Sequence, residues 1–250
     1  SAALRITAMG VYEASLNGSR VGDFILAPGW TVYQKRLQVQ QYELRIRPGQ
    51  ENELTVLVGN GWYRGRLSGC LPGQKGNAAL PAALTAELTL RYPDGHTDTI
   101  CTDASWQTAE SAVRFSELYD GETYDAAFEP SVWTPAVICD GPTDTLIEQQ
   151  GEPVREQERI APARIFKTPA GEIVVDFGQN LTGYVEIALD GVKGEAVELS
   201  HAEVLDKNGN FYTENYRSAK AKYLYFCRDG AQRYKPKLTF YGFRYIRVDR

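Results

Sequence analysis

Long apolar runs are missing from this chain. The longest are about strand length, well short of the roughly 20 residues a membrane-crossing helix needs, so no membrane segment is expected. A basic stripe is missing too. Lys and Arg are scattered through a chain of formal net charge −5, which removes the electrostatic footprint of a nucleic-acid binder and of a polybasic membrane patch. Cysteine is sparse. Cys70, Cys101, Cys139 and Cys227 form no C-x-x-C pair, so a zinc site is not expected, and four cysteines in 250 residues do not make a disulfide scaffold. Two disulfides could form, but free thiols in a reducing compartment are the favoured reading. The N-terminus has no basic segment followed by an apolar one. Together these features favour a cytoplasmic over a secreted location as the expectation. No window of 12 or more residues carries a convincing helical period, and no solenoid or propeller repeat is visible.

What is present is a period of two. Leu84, Ala86, Leu88 and Leu90 alternate with polar residues, Pro93-Asp94-Gly95 makes a turn, and residues 97–102 return as a hairpin partner. Leu54, Val56 and Val58 form another alternating face, and residues 37–44 read as a strand. Asn17-Gly18 is a strong hairpin signal. A polar stretch punctuated by Pro142, Pro153 and Pro162 reads as a linker or an extended crossover. Beyond it, strands are expected at 173–177, 184–189, 196–201, 223–227 and 238–240, with 243–248 closing the chain. The fold class is therefore all-β: two antiparallel, jelly-roll-like β-sandwiches in tandem. One covers residues 1–145, a linker or crossover covers 146–163, and the second covers 164–250.

Two motifs carry residues suited to binding chemistry. The first is Gly59-Asn60-Gly61-Trp62-Tyr63-Arg64-Gly65-Arg66, and the second is Asp120-Gly121-Glu122-Thr123-Tyr124-Asp125. Trp62 and Tyr63 offer flat apolar faces that suit the C–H-rich face of a sugar. Asn60, Arg64, Glu122 and Asp125 could hydrogen-bond hydroxyls. Alternatively, Asn60, Glu122 and Asp125 could supply oxygen ligands to Ca²⁺. The competing structural reading, which carries more weight, has Trp62 plugging the end of a sandwich while Glu122 and Asp125 pair with Arg64 and Arg66. Asp206-Lys207-Asn208-Gly209-Asn210 has the start of a calcium loop. Phe211 stands where Gly is required and Arg217 where Glu is required, so a hairpin turn is the better reading. His201-Ala202-Glu203 lacks a nucleophile partner, and an interdomain hydrogen bond is expected of His201. Among the terminal aromatics, Phe240 and Phe243 are expected in the core, with Tyr241 and Tyr245 facing outward.

These motifs resemble those of bacterial α-L-rhamnosidases. The similarity lies in LNGSRVGD…LAPGWTVY at 16–33, GNGWYRGRL at 59–67, GETYDA at 121–126, and VVDFGQNLTGYVEI with KLTFYGFRYIRV towards the end. Ala127 stands where the family pattern has Arg, and Ser68 is inserted. The resemblance implies an N-terminal β-sandwich and a second, concanavalin-like β-domain of a glycoside hydrolase. In that family a helical catalytic barrel follows, beginning where Arg250 stands, and it carries the acid and base that invert the anomeric centre. No catalytic residue is therefore assigned in this chain. The implied partners are that barrel, on the same polypeptide, and rhamnose-containing glycans. The implied role is to scaffold the barrel, with Ca²⁺ as the only cofactor suggested and none required. A freestanding carbohydrate-binding protein and a protein-interaction or adhesion module are the alternatives.

Overall fold

The computed structural model describes residues 1–66 and 80–250, so Cys70 and Ser68 lie outside the described residues. The chain divides into two compact units. The first comprises Ser1–Ala109 and Ser131–Glu156, the second Glu110–Pro130 and Gln157–Arg250. The linear division expected from sequence is thus crossed in space: residues 110–130 join the second unit, and most of the Pro-punctuated stretch joins the first.

In the first unit, a five-stranded sheet runs in the order Leu146–Glu148, Leu37–Leu44, Ala2–Met9, Ala83–Arg91 and Thr97–Cys101. A three-stranded sheet runs in the order Ser19–Arg20, Val11–Leu16, Leu54–Gly59. Ala2, Leu4, Ile6 and Ala8 alternate inward and share one buried cluster with Tyr12, Ala14 and Leu16 of the smaller sheet, which makes this a sandwich. Leu4 pairs with Leu88 and Ile6 with Ala86 across the antiparallel ladder. Asn17 and Gly18 both take positive φ, closing the hairpin in which Leu16 faces Ser19. Leu146–Glu148 runs parallel to Leu37–Leu44, so the polar stretch read as a linker or crossover supplies an edge strand here.

In the second unit, a seven-stranded sheet runs Arg164–Lys167, Ile173–Gly183, Tyr241–Val248, Ala196–Ala202, Lys222–Phe226, Gly121–Asp125, Val113–Glu117. Gly121–Asp125 lies parallel to Lys222–Phe226, with Glu122 opposite Tyr223. Ile187–Gly191 and Gly230–Tyr234 form a separate ribbon. Its Ile187, Leu189 and Tyr234 pack on the buried Leu199, Tyr223, Tyr225, Tyr241, Phe243 and Ile246. Asn208-Gly209 is a hairpin turn: Gly209 N–H donates to the Asp206 carbonyl, and Leu205 faces Phe211.

Three sequence expectations need correction. Residues 238–240 are not a strand; the last strand is Tyr241–Val248. Tyr241 and Tyr245 are buried beside Phe243, while Phe240 is half-buried. Both faces of the strand are covered by apolar packing, with Tyr241 in one buried cluster and Tyr245 in another, so neither tyrosine is left to solvent. Phe243 and Ile246 lie in one cluster and Tyr245 in another with Val174 and Ala202, and the ladder with Ile173–Gly183 slips alongside, between Asp176 and Leu181. Finally, His201 makes no interdomain bond. It is fully buried within the second unit, its Nδ1 donates to the Ala221 carbonyl at 2.7 Å, and its ring stacks on Tyr241 at 3.8 Å.

Among the described residues Cys101, Cys139 and Cys227 are free thiols, the first two exposed and the third buried. No described helix is long and apolar enough to cross a membrane.

Candidate functional site

The two motifs that the sequence analysis set side by side fall in different units. Asn60, Trp62, Tyr63 and Arg64 belong to the first, Glu122 and Asp125 to the second.

In the first unit the strand Leu54–Gly59 ends and the chain makes a single helical turn, Gly61–Arg64. Gly61 has φ +52°, and a Cβ there would meet Val11 Cγ1 at 2.5 Å, so glycine is required to start the turn against the neighbouring strand. The two aromatics of the turn make different ring contacts. Tyr63 is buried and packs edge-on against Tyr33, with ring centroids 5.2 Å apart at 87°. Trp62 is half-buried, and its ring lies parallel to that of Trp30, with centroids 6.4 Å apart and an interplanar angle of 5°. Arg64 donates to Asn60 Oδ1 at 3.0 Å, so these two side chains serve each other across the turn. Sequence reasoning missed Trp30. The signal was available in the LAPGW string, where a tryptophan directly follows a Pro-Gly turn.

The second motif is built differently. Gly121 has φ +108°, and a Cβ would sit 1.7 Å from the Lys222 carbonyl oxygen, so only glycine lets the two parallel strands approach this closely. Glu122 is 1% exposed. Its carboxylate accepts the Tyr234 hydroxyl at 2.7 Å and the backbone N–H groups of Lys237 and Leu238, each at 3.0 Å. Burial pushes its pKa up, and those donors partly offset the rise. A raised carboxylate pKa is a common mark of a general acid. Here the carboxylate is enclosed and its acceptors are engaged, so its work is to fix the Tyr234–Leu238 segment beneath the sheet. Tyr124 stacks on Tyr234 at 3.8 Å, adding an aromatic layer to the same joint. Asp125, half-buried, accepts the Ala127 N–H at 3.0 Å and shapes the exit from the strand. Both carboxylates are thus engaged by donors inside the second unit.

A third polar joint, Asp176, was not singled out by sequence. It is 2% exposed and is held bidentately by Arg244, at 2.8 and 3.2 Å, with Arg164 at 3.2 Å. The Arg244 hydrogen bonds dominate and hold its pKa down to about 2. No cluster of three or more His, Cys, Asp or Glu side chains among the described residues is arranged to hold a metal ion.

With this geometry in view, sequence models of two domain families match in tandem. The α-L-rhamnosidase N-terminal domain covers residues 1–158, and the bacterial α-L-rhamnosidase concanavalin-like domain covers residues 166–250. The chain belongs to the α-L-rhamnosidase N-terminal domain family. An α-L-rhamnosidase of Streptomyces avermitilis is 38% identical over 99% of this chain, and one of an Alteromonas species is 34% identical over 99%. The crystal structure of the Aspergillus terreus α-L-rhamnosidase superposes with a TM-score of 0.90 at 36% identity over the whole chain. The Streptomyces avermitilis enzyme, solved with L-rhamnose, gives 0.90 at 38% identity over 99% of the chain. The chain spans only 25% and 28% of the length of those two curated relatives, and 30% and 25% of the two solved chains. In this chain the G-E-x-Y-D string is a structural joint, because its glycine and glutamate are consumed by strand approach and loop anchoring.

Proposed function

We propose that this chain is the non-catalytic N-terminal region of an α-L-rhamnosidase, two β-sandwich units that scaffold a catalytic domain supplied by further sequence. The parent protein would hydrolyse terminal α-L-rhamnosides. The observation that carries the reading is the tandem match of two rhamnosidase domain families, together with relatives three to four times as long. The two carboxylates of the second motif support it from the other side. Glycoside hydrolysis needs one carboxyl group able to protonate the leaving group and a second across the scissile bond. Glu122 is enclosed with its acceptors occupied, and Asp125 is tied to its own turn.

The test is hydrolysis of an aryl α-L-rhamnoside by the 250-residue chain. The reading predicts no turnover above a mock-purified control. Turnover that disappears on substituting a single carboxylate of this chain would overturn it. Both oxygens of Glu122 already accept protein donors, and Asp125 accepts the Ala127 N–H of its own turn, so neither is set up to hold calcium. Addition of a chelator is therefore expected to leave the melting temperature unchanged.

A further inference from the structure

Trp30 is 61% exposed. An indole left in water forgoes a large apolar burial, and tryptophan is enriched where a surface meets a ligand or partner. Nor is Trp30 a loose side chain on a mobile tip. It follows a turn in which Leu26 and Gly29 both hold positive φ and the Gly29 N–H donates to the Leu26 carbonyl at 3.0 Å. Tyr33 Oη donates to the Gly29 carbonyl at 3.1 Å, and Gln38 Nε2 donates to the Pro28 carbonyl at 3.1 Å. The neighbouring Trp62 stands on the Gly61–Arg64 turn. Buried Tyr33, Leu37 and Tyr63 form one cluster against which Trp62 packs. Two separate turns thus converge to set two indole planes parallel within 5°. Rigid aromatic faces bind with little ordering cost.

The segment Trp30-Thr31-Val32-Tyr33-Gln34-Lys35-Arg36 carries two cations and no acid, in a chain of net charge −5. It folds back on itself: the Thr31 hydroxyl donates to the Arg36 carbonyl, and the Lys35 and Arg36 N–H groups both donate to the Val32 carbonyl. Lys35 and Arg36 are exposed, and neither has an ion-pair partner among the described residues. A flat π-face carries negative quadrupole charge and attracts the weakly positive C–H groups on one side of a pyranose ring. Exposed cations on the same segment attract carboxylates and guide an anionic ligand in.

We propose that the Trp30–Trp62 face, with Lys35 and Arg36 on the same turn, is a binding site for an acidic oligosaccharide, one whose pyranose units carry carboxylates. The inference rests on the first unit's geometry and not on the rhamnosidase assignment. The two can fail separately, because one is read by binding and the other by turnover.

The test is calorimetric titration of the 250-residue chain with trigalacturonate, and with the neutral maltotriose, at low and high salt. The expected result is binding of the acidic trisaccharide that weakens as salt rises, with weaker or no binding of the neutral one. Trp30→Ala is expected to lower affinity about tenfold, the factor that corresponds to one aromatic stack. Its melting temperature should stay that of the parent chain, which separates loss of the site from loss of the fold. Lys35→Ser with Arg36→Ser is expected to lower affinity and flatten the salt dependence. No binding of trigalacturonate, unchanged affinity in Trp30→Ala, or equal affinity for the two trisaccharides would each overturn the proposal.

Discussion

The turn Gly59–Arg64 and the strand Gly121–Asp125 have similar vocabularies: glycine, an aromatic, and side chains able to hydrogen-bond. They do opposite things. In the turn, glycine frees the backbone so that Tyr63 can go down into the first unit while Trp62 stays near the surface beside Trp30. In the strand, glycine removes a Cβ so that two parallel strands can close, and Glu122 disappears beneath them to hold three donors. Residue type states which chemistry is available; burial and prior commitments decide whether any of it faces a ligand. A buried carboxylate with a raised pKa imitates a catalytic acid, yet here it anchors a loop. A tryptophan that ought to be buried stays out.

The contrast can be broken or sharpened by substitution. The largest effect belongs to Gly121→Ala. The new methyl group would meet the Lys222 carbonyl oxygen at 1.7 Å on backbone already at φ +108°, and neither strand can yield without losing its ladder. A loss of about 4 kcal/mol or more is expected, enough to unfold the second unit. Chemical denaturation would detect it, and native-like stability would show that the parallel pairing is looser than described. Glu122→Ala comes next. It strands the Tyr234 hydroxyl and two backbone N–H groups, at about 3 kcal/mol. Glu122→Gln keeps an acceptor and should fall clearly between Ala and the parent; coincident Gln and Ala curves would contradict the anchoring role.

His201 sets a pH limit. Burial lowers its pKa from 6.5 to about 4. The unfolded chain therefore takes up a proton that the folded one refuses. Stability is full above pH 6.5 and falls as the pH drops to about 4, by about 3 kcal/mol. Denaturation midpoints of His201→Phe should lack that slope, whereas an identical slope would assign it to other groups. Asp176 acts lower down. With its folded pKa depressed to about 2 from 3.8, its contribution is complete above pH 3.8 and disappears as the pH falls through 2. Asp176→Asn should cost about 2 kcal/mol at neutral pH and much less below pH 2, which guanidinium titrations at the two pH values would read. The smallest effect is that of Trp30→Ala. An exposed side chain outside the core should change stability by less than about 0.5 kcal/mol, and a larger drop would make Trp30 a packing residue.

Much of the fold could be read from local chemistry. Asn17-Gly18, Asp94-Gly95 and Asn208-Gly209 each turn the chain where their backbone freedom suggests, and the alternation at 84–90 is a real strand. What escaped was non-local. Nothing near residue 121 announces that its strand will lie beside residues 222–226, a hundred positions later, or that residues 110–130 will desert their neighbours for the second unit. The burial of Tyr241 escaped for a related reason. Alternation assigns side chains to faces, but it does not show that distant elements cover both faces of this strand. The same limit applied to the site. Trp62 and Glu122 were both good candidates by type, and their separation into a surface face and a buried anchor was set by partners far away in sequence.

The central claim is that the aromatic turn presents while the acidic strand supports. Thermal unfolding of Glu122→Ala beside Trp30→Ala tests it most directly. The account predicts a melting temperature for Glu122→Ala well below that of the parent chain and one for Trp30→Ala indistinguishable from it. Equal melting temperatures for the two variants would contradict it.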